Sequence, residues 1–457
     1  MLISLNCPLC LRTINIVVGV FVIGMLLPLA FGSELQADPP SSDDERPLSE
    51  WLKKEVDWKF LGLHTYWEDG FRIDSPKESV KIKIDGSMMF DVGTIHAQGE
   101  LRTAFPSFEG EEVDLRRLRL SGLATFYDTV DLRLDIEFAN VREIKDNWIG
   151  LTKEVPILGY IKIGHMKEPF SIEELISGTD LTFVERSLAT VAFAPGRNLG
   201  ILFHNAVLGD RMTWAVGGFW NTGSLGVGEA RDRIADPNGY NLSARITGLL
   251  WYEDGGRRLL HLGLAYSHQS RDKDSTNGGV AYRTWPESRL TNNTLVDTGD
   301  LITNRAELID AELAWVHGPL SLQSEYFHAF TGATEGGSLR FWGLYVQTSY
   351  FLTGEHRTYN TATGVFSQIK PNNIFHPLKG KWGAWEIAVR LSYLDLNDGN
   401  IEGGKELNFT AGLNWYLNPN IRLMFNYIRA HVEDQNTSPP IDNGYANIFQ
   451  ARLQFVF

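Results

Sequence analysis

The sequence predicts an all-β fold, a transmembrane antiparallel β-barrel of 16 strands with the third extracellular loop folded into the lumen. Three observations carry this. Residues 446–457 separate an apolar set (Phe449, Ala451, Leu453, Phe455, Phe457) from a polar set (Gln450, Arg452, Gln454), as a pleated strand with one greasy face requires. Beyond residue 32 no apolar run is long enough for a membrane helix, so a membrane-resident chain has only the barrel available. Tight turns and longer polar loops alternate along the chain, the two-sided pattern of an outer-membrane barrel.

The first element, residues 1–32, is expected to be a signal peptide. Arg12 precedes an apolar run from Ile14 to Phe31, and Ala30 and Gly32 stand at a peptidase-like spacing. An uncleaved anchor is the alternative, since a run of ~18 apolar residues approaches spanning length. Both cysteines, Cys7 and Cys10, lie in this leader, which excludes disulfides and thiolate metal sites from the mature chain. The chain carries 42 basic and 56 acidic side chains, a formal net charge of −14, which argues against nucleic acid as a partner.

Residues 33–79 form a periplasmic N-terminal segment, opened by the polar run Asp38-Pro39-Pro40-Ser41-Ser42-Asp43-Asp44-Glu45 and expected to be partly disordered, or to hold a short helix over 48–63. The barrel domain spans 80–457. Its strands are expected near 80–92, 113–127, 130–139, 147–152, 158–167, 199–207, 211–220 and 240–252, then 258–268, 306–316, 320–330, 340–352, 381–395, 405–417, 421–432 and 446–457. In 130–138, Val130, Leu132, Leu134, Ile136 and Phe138 alternate with Asp131, Arg133, Asp135 and Glu137, a charged face suited to the wall of an aqueous channel. Tight connections at Asp128-Thr129, Leu208-Gly209-Asp210, Glu253-Asp254-Gly255-Gly256, His317-Gly318-Pro319 and Asn418-Pro419-Asn420 mark one rim. Phe126, Tyr127, Trp251, Trp315, Trp415 and Tyr416 sit beside them, where an interfacial belt belongs. The connection 353–380 breaks the pattern on the short-turn side: it is either a periplasmic elaboration or hides a hairpin.

No HExxH, GxSxG, P-loop or dinucleotide fingerprint is present, so no catalytic residues, resident metal or cofactor are expected, and the chain reads as not an enzyme. The inward parity of the strands makes Arg117, Arg119, Arg133, Lys162, Arg245 and Arg452 candidate channel-wall cations, with Lys81, Lys83 and Arg422 beside them. Asp85, Asp131, Asp135, Glu137, Glu325 and Glu386 share those faces. The third extracellular connection, 168–199, is long and rich in apolar residues (Phe170, Ile172, Leu175, Leu181, Phe183, Val184, Phe193), so it should be packed, and the lumen is the place available.

The run Ile163-Gly164-His165-Met166-Lys167-Glu168-Pro169-Phe170-Ser171 resembles the phosphate-selective porin family, porins O and P. So do Asp180-Leu181-Thr182-Phe183-Val184-Glu185-Arg186, Ala194-Pro195-Gly196-Arg197, the segment Tyr345 to Glu355 and the segment Gly412 to Asn420. The similarity runs from about residue 70 to the end. It implies a homotrimer of sixteen-stranded barrels in the outer membrane lipid, passing small inorganic anions such as phosphate or polyphosphate by passive diffusion. Carried over by motif, Lys167 and Ser171 lie at the constriction, and Arg186 and Arg197 in the loop that forms it, as anion-binding residues. Two alternatives stay open: Arg186 and Arg197 pair with Glu173, Glu174 or Glu185 and only hold the loop, and the whole chain is a plugged structural or adhesive barrel that binds partners through its external loops.

Overall fold

The structure is a computed structural model that describes residues 63–139, 143–152, 154–156, 158–222, 225–226, 239–271, 279–333 and 337–457. The leader and nearly all of the expected 48–63 helix lie outside these residues. Sixteen strands form the wall. The first eight are β1 (Val80–Gly99), β2 (Gly110–Phe126), β3 (Val130–Glu137), β4 (Glu143–Leu151), β5 (Tyr160–Lys167), β6 (Arg197–Val207), β7 (Met212–Trp220) and β8 (Tyr240–Glu253). The second eight are β9 (Arg258–Ser270), β10 (Arg305–His317), β11 (Leu320–Ala333), β12 (Gly337–Phe351), β13 (Ala384–Asp398), β14 (Ile401–Tyr416), β15 (Ile421–Gln435) and β16 (Ile441–Val456). Each pairs antiparallel with its sequence neighbours. β16 closes the barrel on β1, from Gly444 opposite Gly99 to Val456 opposite Ser87.

The wall is apolar outside and polar within. On β9, Leu262, Leu264 and Tyr266 are exposed, Leu264 by 59%, while His261 and Ser267 on the other parity are fully buried. β16 behaves as its alternation requires: Phe449 and Leu453 are exposed, and Gln450, Arg452 and Gln454 are buried. A strand that pairs on both edges leaves no backbone group unbonded in hydrocarbon, which is why the closed sheet suits this sequence. Stacked Trp385 and Trp415, 4.9 Å between ring centroids, sit beside the turn into β15, and Trp415 Nε1 donates to the Trp382 carbonyl at 2.7 Å.

Several boundaries differ from expectation. β1 runs on to Gly99 and β14 begins at Ile401, so the connection between β13 and β14 shrinks to residues 399–400 and the short-turn, long-loop alternation fails there. The charged and polar composition of 396–404 reads as a loop, yet strand pairing continues to Asp398 opposite Ile401. The 353–380 connection does hold a small hairpin, Tyr359–Asn360 with Val365–Phe366, which is separate from the wall.

A second hairpin precedes the barrel, His64–Trp67 with Phe71–Asp74. It bonds to the lower part of β1, Phe71 opposite Ile84 through Asp74 opposite Lys81, below the stretch that β16 covers. Phe457 and Gly86 exchange two backbone hydrogen bonds of 2.9 Å. Gly86 has no alternative here, because a Cβ would stand 2.6 Å from the Phe457 ring.

Candidate functional site: the lumen and its inserted loops

Three connections pack against the inner wall, and they do so on one side. In the third loop, residues 168–196, two short helices form, α1 (Ile172–Leu175) and α2 (Leu188–Phe193). Ser171 caps α1 by accepting from the Glu174 amide at 3.1 Å, and Ser187 caps α2. Phe170, Leu188, Ala189 and Phe193 then join an apolar core with Tyr282, Leu290, Leu295 and Val296 of the 271–304 connection and with Phe327, Phe341, Ile428 and Ile448 of the wall. Below it, Ile172, Ile176 and Leu181 pack with Tyr359 and Phe366 of the 359–366 hairpin.

Polar ties hold the third loop to distant strands. Arg452 makes a two-pronged ion pair with Asp91 at 2.6 and 2.7 Å, and also donates to the Val184 carbonyl and the Glu185 carboxylate. Arg116 grips Glu185 from the other side at 2.7 and 3.0 Å. Arg390, fully buried, donates to the Glu185 carbonyl, pairs with Glu173 and with Glu287 of the 271–304 connection, and lies 4.5 Å over the Phe183 ring. Arg422 donates to the Leu181 carbonyl. Guanidinium groups suit this work because each offers several fixed donors and stays charged when buried.

Filling that side leaves an open space on the other. A cavity of about 520 Å³ runs along the inner faces of β1 to β8, floored by the loop and by Ala362 and Thr363. Its lining holds seven basic side chains, Arg117, Arg119, Arg133, Lys162, Lys167, Arg197 and Arg245, against four acidic ones, Asp85, Asp131, Asp135 and Asp146. Among the lining side chains themselves the excess is positive although the whole chain is acidic, while Glu137, Glu174 and Glu312 stand just behind the lining. Neutralisation is uneven. Arg133 pairs with Asp135 at 2.6 Å and Arg197 with Asp146 at 2.7 Å. Arg119 stands 3.4 Å and Arg117 3.7 Å from Glu137. Lys162 has no ion-pair partner among the described residues and stands 4.6 Å over the Trp148 ring.

The sequence-expected residues do not share one place. Lys167 and Arg197 line the cavity. Lys167 Nζ donates to the Glu174 and Ile176 carbonyls and lies 3.4 Å from the Glu174 carboxylate. Arg186 is bound to the Glu173, Glu174 and Ile176 carbonyls and to the Glu174 carboxylate at 3.0 Å, and faces a second space of about 280 Å³ with Arg116 and Arg289. Ser171 is wholly buried as the α1 cap and does not line either cavity. Arg452 also stays off the cavity wall, since its partners Asp91 and Glu185 consume it inside the packed region. Arg245 reaches the cavity while paired with Glu312 at 2.7 Å.

Arg116 escapes a parity reading because the ladder slips between Met89 opposite Arg117 and Phe90 opposite Leu115, leaving Arg116 as the extra residue. A bulge of this kind re-aims a side chain, so consecutive residues both turn to the loop. Gly178 makes the space for Arg117: a Cβ there would stand 2.4 Å from its guanidinium. In the loop, burial works to raise the Glu174 carboxyl, but Arg186 and Lys167 outweigh it and hold it below the ordinary range. Asp180 lacks such a close partner, and burial pushes it up to about 6.

Comparison with known proteins bears on the barrel as a whole. The family described as phosphate-selective porin O and P matches residues 83–457. A protein of Caulobacter vibrioides with no assigned role is 28% identical over 401 residues, covering 86% of this chain and 76% of its own length. Porin O of Pseudomonas aeruginosa is 31% identical over 157 residues, 32% of this chain and 34% of that protein. Among solved structures, the outer membrane channel DcaP of Acinetobacter baumannii superposes with a TM-score of 0.51 at 10% identity, covering 85% of this chain and 99% of that one, a likeness of fold. With a match over nearly the whole barrel wall, the chain belongs to the phosphate-selective porin O and P family of outer-membrane porin channels.

Proposed function

We propose that this porin passes small anions, phosphate and polyphosphate among them, by passive diffusion along the β1 to β8 side of its barrel. The positive excess lining the 520 Å³ cavity is the observation that supports this most directly. A wall with surplus cations raises the local anion concentration, and cations already held in partial ion pairs attract an oxyanion without trapping it. Lys167 and Arg197, at the meeting of wall and loop, serve as the filter; Arg117, Arg119, Arg133 and Lys162 supply the approach. The homotrimer implied by the family and the cleaved leader expected from residues 1–32 complete the reading.

Reversal potentials in a KCl gradient test it. Anions should carry most of the current, and added phosphate should reduce chloride conductance. Cation-dominated current would overturn the proposal. The packing of three connections into the lumen favours one competing reading, a plugged barrel whose external loops bind partners. Planar bilayers separate the two, because a plugged barrel gives no ohmic steps.

A further inference from the structure

We propose that Asp310, Glu312 and Glu325 form a binding site for a hard divalent cation, of the calcium or manganese class, behind the third loop. The three carboxylates project from β10 and β11, and Glu312 stands directly opposite Glu325 in the ladder. Like charges so placed repel. One oxygen from each of the three lies within 4.8 Å of the others, and an ion that takes oxygens at about 2.3–2.6 Å spans a pair across it at about 5 Å. Gly263 on the neighbouring strand leaves the room for this, since a Cβ would stand 2.3 Å from the Glu312 carboxylate.

Two of the carboxylates are oriented by donors and keep lone pairs to spare. Glu312 accepts from Arg245 at 2.7 Å twice and contacts His261 Nε2 at 3.0 Å. Glu325 accepts from the Ile172 and Glu173 amides at 2.8 and 3.1 Å and from the Tyr345 hydroxyl at 2.6 Å. Asp310 is different. It is wholly buried, and neither of its oxygens has a hydrogen-bond partner among the described residues. A buried carboxylate with no donor is costly to keep, and among the described residues Arg245 is the one guanidinium paired directly into the cluster. With all three carboxylates ionised, two negative charges would be left over after Arg245, and a divalent cation would neutralise them. The ligand atoms are carboxylate oxygens, which select hard ions over zinc or copper. Because Glu325 holds the first amides of α1, the ion would clamp the third loop to the wall.

The test uses the full chain in detergent, stripped with EDTA and titrated with Tb³⁺ under tyrosine excitation. Emission sensitised by Tyr345, saturating at about one ion per chain and competed by Ca²⁺, is expected. Asp310→Asn should weaken binding at least about tenfold. EDTA should lower the melting temperature of the wild type and leave that of Asp310→Asn unchanged. Should that variant not fold, elemental analysis of the wild type dialysed against Ca²⁺ decides: about one retained ion per chain supports the site. Absence of a retained ion, or Tb³⁺ binding equal in the variant, would overturn it, leaving shared protons as what neutralises the cluster.

Discussion

Single side chains in this barrel divide into those that face water and those that hold the loops, and strand parity distinguishes inward from outward without separating the two kinds. Arg133, Lys162 and Arg452 have the same alternation in sequence, yet Arg452 is enclosed by Asp91 and Glu185 while Lys162 stands beside open space. What differs is the far partner, which lies hundreds of residues away and leaves no local trace. Lys167→Glu should reverse one charge at the filter and lower the anion-to-cation permeability ratio, as a reversal potential would report; an unchanged ratio removes Lys167 from the path. Gly178→Ala should push the Arg117 guanidinium out of its recess into the cavity and reduce single-channel conductance without abolishing it. Asp180 sets a pH response. Its raised folded-state value, about 6, means the neutral form is favoured by the fold, so protonation stabilises the protein as pH falls from about 6 toward the unfolded value of about 4. Over the same window the lumen loses a negative charge, and anion preference should rise between pH 7.5 and pH 5. Asp180→Asn should shrink that rise.

At the level of elements, the strands were the most legible part, because alternation and tight turns are local signals, and sixteen strands is the number found. The third loop was legible through its apolar content. The same criterion applied to 271–304 would have found Tyr282, Leu290, Leu295 and Val296, which pack beside α2, but shorter apolar stretches among Thr, Asn and Asp hide that signal. The 359–366 hairpin is hidden more deeply, since its docking rests on Arg245 donating to the Gly364 carbonyl at 2.9 Å and on Tyr359 against His261 at 2.7 Å. Glu185 is the joint of the third loop: Arg116 and Arg452 share its carboxylate, and Arg390 takes its carbonyl. Glu185→Ala removes the carboxylate held by the partly exposed Arg116 and one of the two held by Arg452, which keeps Asp91, and should cost about 1–3 kcal/mol. Equilibrium unfolding in denaturant measures the loss, and noisier open-channel current should accompany it as the loop loosens.

Across the whole molecule, charge is sorted by position. A chain with a net charge of −14 builds a cavity whose lining is predominantly basic, so bulk charge says little about what the pore admits. The two halves of the barrel also differ in emphasis, β9 to β16 giving most of the apolar backing of the inserted loops and β1 to β8 walling the open space, with Arg116 and Arg245 tying the loops to that side too. That division explains why a barrel of this width need not be a wide hole. The seam between first and last strands carries one more consequence. β16 covers β1 only from Ser87 upward, so the backbone of Lys81 to Ile84 would be a bare sheet edge if the His64–Asp74 hairpin did not occupy it. Bare edges recruit other strands. The hairpin, braced by Trp67 against Phe457, is thus the selvedge of this seam: it finishes the lower margin of the first strand and passes the free edge outward to the four residues His64–Trp67.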